Sequence, residues 1–426
     1  MPVKHAQIIN LLTGDPTPSS IIGLDLIEVG DIVISAYDKQ AADPRYIPAD
    51  GGVVSQTEYP ELFQKIGLPL YSPNELMATP SVIPSGATNG VAMSGDGGYF
   101  SVSYAGSPYI NIYKENSNVY EVLSTVSVLP PSGATGCSMP ASGDYLTVTH
   151  GAPDYLSNYK RTGDTFTKLP SPSSVPTGAG ADACWSSDGA YLTIAHAGSP
   201  FMTSYSVVGD TFTPMTVPSS VPPAATLGCA VSGDGTYLAM FYGTTPFISI
   251  YKRSGNQYVL LPTPSVIPSG APSSASFSQD GKFLAVSNGL APFLVLYDRN
   301  GDEFNQVQNP TSVTLVSINS CSYSQDGKFL AISYSLAPFL EIFKRTGSSF
   351  TVTPALVDPP IAASSALTLS GSGSYLGLAS VTSPYVRSYR VKFPFDAATS
   401  FVVPNRSEAD SGTPVVNTQS FIKAKP

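Results

Sequence analysis

Residues Ser274–Tyr297 read SASFSQDGKFLAVSNGLAPFLVLY. The line divides into a short apolar-rich run, an Asp-Gly turn, a second run, a Pro-containing loop and a third run, which is the writing of three short strands. QYVLLP at Gln257–Pro262 adds a fourth. The same phrase recurs along the chain. Its turn glycine stands at Gly97, Gly143, Gly189, Gly235, Gly281, Gly327 and Gly373, every step being 46 residues. An aromatic follows two positions on, at Tyr99, Tyr145, Tyr191, Tyr237, Phe283, Phe329 and Tyr375. Two further aromatic columns run from Tyr109 to Tyr385 and from Tyr113 to Tyr389. A fixed period of roughly 40–50 residues built from short strands is a β-propeller blade. The expected fold is mainly β, a seven-bladed propeller.

Within the second strand two alternate columns are large and apolar. One runs Phe100, Leu146, Leu192, Leu238, Leu284, Leu330, Leu376; the other runs Val102, Val148, Ile194, Met240, Val286, Ile332, Leu378. The column between them is small: Ser101, Thr147, Thr193, Ala239, Ala285, Ala331, Gly377. Positions two apart share a sheet face, so each blade should present a large face and a small face to its neighbours. The D-G turn supplies the positive φ that a tight hairpin needs.

The 426 residues allow a large core and more than one domain. Charged residues make up 12%, against 37 Gly, 39 Pro and 24 Tyr, a turn-rich all-β composition. A net charge of −9 argues against nucleic acid, which needs a basic face, and leaves sugars and proteins open. No signal-peptide-like apolar stretch opens the chain and no run approaches transmembrane length, so a soluble protein made in a cytoplasm is expected, without membrane insertion. Cys137, Cys229 and Cys321 share one phase of the repeat and Cys184 is one position off. They read as buried small apolar residues rather than as disulfides or a metal set.

The S-x-D-G-x-[FY]-L phrase resembles WD-like and lactonase-type propeller repeats. It also has the look of the sialidase Asp-box, but lacks that motif's later Gly and Trp. Because propellers host many activities, this resemblance bears on fold and not on function.

Segments outside the repeat carry a second resemblance. GDIVISAY…PRYIPADGGVVSQTEYPELFQKIG (Gly30–Gly67) is similar to the opening of the phage tail-collar domain. That family shows a strand, an aromatic-x-P-x-D-G turn, S-x-T-x-Y and a short L-F-x-x-I-G helix. TSFVVPN…QSFIKA (Thr399–Ala424) is similar to the end of the same domain. Tyr46 stands where the family often has Trp, and Ala49 where it often has Cys. The resemblance implies a small α+β collar-like domain split in two, with the propeller replacing its middle. The expected organisation is 1–70 for an attachment segment and the first collar piece, 71–393 for the propeller and 394–426 for the second piece. The last blade lacks a fourth strand after Arg390, whereas NELMATP at Asn74–Pro80 matches YVLLPTP at Tyr258–Pro264 in phase. Pro73–Ala78 should therefore close the ring by pairing with the strand Tyr385–Val391.

Successive loops of a propeller alternate between two faces. The D-G turns share one face with the Lys/Arg-bearing turns after strand three (Lys114, Lys160, Lys252, Lys344), which makes that face basic. The Pro loops after strand two share the opposite face with the Pro-rich connectors. Both ends of the ring fall on the D-G side, which leaves the opposite face free of the collar-like pieces. Strand two ends there on Tyr104, His150, His196, Tyr242, Asn288, Tyr334 and Ser380. Aromatic and hydrogen-bonding side chains circling a mouth suit sugar or peptide recognition; equally, they can simply cap the channel. Blades two and three also place Asp154, where other loops have Pro, and Asp182, where other first strands have small residues. Together with His150 and His196 they could hold a divalent metal or a cationic group, form a polar pocket, or be incidental. No local metal or cofactor motif is present, and none is expected.

The collar resemblance implies a virion component, a tail-fibre or tail-tip receptor-binding protein, assembled with other virion tail proteins after synthesis in the host cytoplasm. Its free propeller face would meet a host cell-surface glycan or protein. Fibre proteins of this kind often trimerise, so the resemblance admits a homotrimer. Two other readings stay open: a structural tail or decoration protein, and a polysaccharide-degrading enzyme, for which Asp154 and Asp182 are the best carboxylate pair and no nucleophile motif exists.

Overall fold

The computed structural model describes residues 75–391, apart from 124–125, 311–312, 314–315, 354–355 and 357, together with five strands of the framing segments at 32–35, 46–48, 53–55, 400–402 and 419–423. The repeat folds as seven four-stranded antiparallel sheets. In the fifth blade the strands are Pro272–Phe277, Phe283–Asn288, Leu294–Asn300 and Glu303–Val307, hydrogen-bonded in that order. First strands of neighbouring blades pack side by side, and Ser364–Leu369 of the seventh packs on Thr88–Met93 of the first, so the ring is closed. The seven-bladed β-propeller expected from the 46-residue period is the observed fold.

The S-x-D-G phrase has a mechanical reason. Ser278 Oγ accepts the Phe283 amide at 3.0 Å and donates to Asp280 Oδ1 at 2.7 Å, and that oxygen accepts the Lys282 amide at 3.0 Å. Gly281 takes φ 63° to let the chain reverse. The same Ser–Asp pair forms at Ser94–Asp96, Ser186–Asp188, Ser232–Asp234 and Ser324–Asp326.

Core is built between blades rather than inside them. Leu284 and Val286 of blade five pack with Ala239 and Ile250 of blade four, while Ala285 and Leu296, on the other face, pack with Leu330 and Ile332 of blade six. Both faces of the second strand are buried, which explains the near-continuous apolar writing of YLAMFY and FLAVSN.

Closure follows the phase argument. Glu75–Leu76 pairs with Val386–Arg390, Leu76 opposite Tyr389 and Glu75 opposite Arg390, and the Met77 amide donates to Ser388 O at 2.9 Å. Tyr375 pairs with Arg390, so both chain ends leave the ring on the D-G side.

The chain divides into two compact units, Pro73–Phe393 and Met1–Ser72 with Pro394–Pro426. In the second of these, strand Gln419–Lys423 lies between Ile32–Ser35 and Tyr46–Pro48, and Ser400–Val402 pairs with Val53–Ser55. The helix expected within Thr57–Gly67 lies outside the described residues.

Part of the charge expected on the D-G face is matched between blades. Lys114, Lys160 and Lys252 each reach an aspartate in the outer turn of the next blade, Asp164, Asp210 and Asp302, at 2.7–2.9 Å. Their charge is matched locally, and the lysine pattern reports contacts between blades.

Candidate functional site

The residues ending the second strands do not ring an open mouth. Tyr104, His150, His196, Tyr242, Asn288 and Tyr334 are at most 1% exposed, and Ser380 is buried as well. Five of them turn back onto the third strand of their own blade, seven residues ahead. Tyr104 Oη donates to Asn111 Oδ1 at 2.6 Å, Tyr242 Oη meets Ser249 Oγ at 2.8 Å, and Tyr334 Oη donates to Glu341. His150 Nε2 meets Ser157 Oγ at 3.0 Å and His196 Nε2 meets Thr203 Oγ1 at 2.9 Å. Asn288 instead accepts from Ser269 Oγ and the Leu290 amide. Burial lowers both imidazole pKa values and pushes the Tyr104 phenol up to about 12. The expectation of exposed recognition rings at these positions is thus corrected. Their polar tips anchor strand two to strand three, and an aromatic column with polar tips looks alike in either role.

His150, His196, Asp154 and Asp182 are not drawn into one cluster. The imidazoles are bound within separate blades, Asp154 is exposed on its loop with Oδ2 on Ser171 Oγ at 2.6 Å, and Asp182 belongs to the axial channel. Among the described residues no group of three His, Cys, Asp or Glu side chains could hold a metal ion. Asp154 has a conformational cause. It takes φ 72°, which proline cannot adopt, whereas the six loops that keep proline hold it in a cis peptide bond, as at Ala291–Pro292.

The face opposite the D-G turns is shaped by the third aromatic column. Tyr113, Tyr159, Tyr205, Tyr297 and Tyr389 donate their phenols to the carbonyls of Val82, Val128, Ser174, Val266 and Asp358 in the Pro-rich connectors, at 2.7–3.1 Å. With the connectors tied down, apolar side chains stand out on this face, among them Val82, Val128 and Val217 in the connectors and a further set on blades five to seven. Leu290 and Leu336, equivalent by the repeat, are 59% and 60% exposed, Val381 52% and Ile361 75%. Blades two to four carry Ala152, Gly198 and Thr244 where these leucines stand. The repeat alignment held this signal, as a column in which only two blades have a large residue.

The axial channel is the second candidate surface. A cavity of about 200 Å³ lies among the first strands of the ring. Its rim is a circle of hydrogen bonds from one blade to the next: Asn89 to Ala134 O, Thr135 to Gly180 O, Ser273 to Ile318 O, Asn319 to Ser364 O and Ser365 to Thr88 O. Ala181 and Leu227 hold that position in blades three and four, so the circle is interrupted there. Asp182 sits at this gap. The column around it reads Gly90, Gly136, Asp182, Gly228, Ser274, Ser320, Ala366. A Cβ on Gly136 would fall 2.9 Å from Asp182 Oδ1, and one on Gly228 would fall 2.9 Å from Oδ2, so the two glycines make room for the carboxylate. It accepts the Ala183 amide at 2.8 Å and the Cys229 amide at 3.4 Å. Although Asp182 borders the cavity and keeps some exposed surface, protein surrounds its carboxylate, and this desolvation raises its pKa to about 6.

All four cysteines are buried and free. Cys184 and Cys229 belong to adjacent blades and share one core cluster; Cys229 Sγ donates to the carbonyl of Thr193, the residue paired with Cys184. Among the described residues no helix is long and apolar enough to cross a membrane.

No protein-family model matches this chain, and no curated protein sequence does. Among solved structures it is similar to Kuenenia stuttgartiensis hydrazine synthase, with 13% identity and a TM-score of 0.56 over 74% of this chain and 98% of that one. At that identity the likeness concerns the propeller fold alone.

Proposed function

We propose that this protein is a phage virion component, a tail-fibre or tail-tip receptor-binding protein. Its collar-like segments attach it to other virion tail proteins, and the propeller face opposite the D-G turns contacts a host cell-surface glycan or protein. The observation that carries this reading is the collar-like text, GDIVISAY…PRYIPADGG…LFQKIG before the ring and TSFVVPN…QSFIKA after it. Two features support it. Both ends of the ring leave on the D-G side, and Leu290, Leu336, Val381 and Ile361 expose apolar surface on the other side, where scattered single residues would be ordinary but a run over neighbouring blades suits a contact surface. A glycan-cleaving role would need two carboxylates flanking one bond. Asp154 and Asp182 hold separate partners, which favours binding over cleavage.

The test is binding of the purified chain to a broad panel of bacterial surface glycans and to whole cells. Wild type is compared with the Leu290→Ser, Leu336→Ser, Ile361→Ser variant, whose changes are all at exposed positions. Selective binding that the variant loses is the expected result. Binding retained by the variant moves the contact off this face, and no binding to any cell or glycan turns the reading toward a structural tail or decoration protein.

A further inference from the structure

Asp182 is a carboxylate in a place that does not require one. Side chains of this column join the first strands of adjacent blades, and Ser320 does so with a hydroxyl, accepting the Leu367 amide at 3.3 Å. Asp182 does the same with the Cys229 amide, but brings a charge with it. Two amide donors leave part of a carboxylate's acceptor capacity unused. Asp182 is the only charged side chain lining the described cavity, and none of the described salt bridges includes it. A desolvated carboxylate without a counter-charge is costly, and a cation entering the cavity would offset that cost.

The walls say which cation. The space of about 200 Å³ corresponds to roughly six or seven water molecules. A divalent metal asks for several oxygen or anionic ligands converging on one point, and here a single carboxylate is present. Leu227 is apolar at the rim position where other blades have Asn, Thr, Ala or Ser, and it keeps 50% of its surface exposed beside Asp182. Phe241 lines the same space. Most of the cavity wall is polar, and Leu227 with the edge of the buried Phe241 adds a small apolar patch beside the charge, which suits a small donor group on a short aliphatic stem.

We propose that the axial channel binds a primary ammonium group carried on a slender aliphatic chain, with the Asp182 carboxylate as counter-ion, the Ser274 and Ser320 hydroxyls lining the polar side, and Leu227 and Phe241 against the stem. This site is separate from the exposed rim of blades five to seven, and the proposal does not rest on the tail-fibre reading. A free alkylamine and a lysyl side chain share the required chemistry.

Saturation-transfer NMR on the full chain tests it, with n-butylamine and Nα-acetyl-lysine N-methylamide as probes and n-butanol as the uncharged control. At about neutral pH, transfer to the amine probes and not to butanol is expected. Transfer to butylamine alone assigns the site to small free amines; transfer to both assigns it to lysyl side chains as well. Asp182→Ser and Asp182→Asn should each weaken binding about tenfold or more, with circular dichroism and melting showing that the variants are folded. Wild type supplies an independent arm, because binding should fall severalfold between about pH 7.5 and pH 5 as Asp182 protonates while the amine stays charged. The other titratable groups near it are the Cys137 and Cys229 thiols, held protonated by burial, and His196 on the paired strand, bonded to Thr203, whose pKa burial lowers. Absence of transfer in wild type, equal transfer in wild type and both variants, or binding unchanged across that pH range would each overturn the proposal.

Discussion

Phe100 of the first blade fills the space that a side chain on Gly377 of the last blade would need. A Cβ built on Gly377 would stand 3.0 Å from Phe100 Cδ2 and closer still to the outer ring atoms. Elsewhere the large column is leucine and the small column is Ser, Thr or Ala. The largest and smallest members of the two columns therefore meet where the ring closes.

A double-mutant cycle follows from that contact. Gly377→Ala alone should overpack the closing seam and destabilise by about 1–3 kcal/mol. Phe100→Leu alone should leave a void and cost about 1–2 kcal/mol. The double variant rebuilds the Leu–Ala pairing found at three other seams, such as Leu284 with Ala239, and should recover at least about 1 kcal/mol of the summed loss. Urea unfolding of the four proteins measures the coupling, and additivity would show that the two side chains do not share the seam.

How far the sequence could be read depended on what repeats. The 46-residue period and the alternating large and small columns report packing that recurs at every seam, so the ring, its blade order and its closing strand Glu75–Leu76 were all legible. Direction of a side chain at a strand end was not. Tyr104 and its equivalents have the polarity of a binding ring, but their tips meet Asn111, Ser157, Thr203, Ser249 and Glu341, and such partners seven residues ahead carry no local signature. Asp182 stood out as a charge in a column of small residues. Its setting in the channel came only from the glycines of two neighbouring blades.

Tyrosine should replace the buried histidines without loss. Tyr242 bonds Ser249 in blade four, and His150 bonds Ser157 at the same position of blade two, so His150→Tyr recreates an existing pair. The folded-state pKa of His150 is depressed, so its contribution is present above the unfolded value and is lost as pH falls through that value toward the folded one. His150→Tyr should therefore fold with a melting temperature within a few degrees of wild type at pH 7.5 and lose less stability on going to about pH 5. Melting at the two pH values decides, and an unchanged difference between them would mean that His150 does not contribute to the acid limb.

Arginine on the D-G face should resist replacement by lysine. Arg299 lies 4.3 Å over the Tyr237 ring of the preceding blade while its Nε donates to Gly281 O at 2.9 Å, and Arg161 and Arg253 repeat the arrangement over Tyr99 and Tyr191. A planar guanidinium lies flat on the ring and donates from its edge, whereas an ammonium is a point charge with no face to stack. Arg299→Lys should cost about 0.5–2 kcal/mol with little salt dependence. Unfolding in low and high salt checks this, and a loss that disappears in high salt would point to simple charge pairing.

Asp182 should be a net cost to the empty protein at neutral pH. Its carboxyl titrates near 6 in the folded chain, above the ordinary aspartate value, so protonation favours folding. The sign is opposite to that of His150: the penalty is absent below the unfolded value, grows as pH rises from about 4 to about 6 and is constant above that. Asp182→Ser, which installs the residue found at Ser274 and Ser320, should stabilise the empty protein at about pH 8 by on the order of 1–3 kcal/mol, the lower part of that range allowing for solvent at the cavity. At about pH 4 the gain should vanish. Denaturant unfolding of both proteins at the two pH values tests this, and a variant that is destabilised by the same amount at each would mean that the carboxylate acts as an amide acceptor whose hydroxyl substitute is too short.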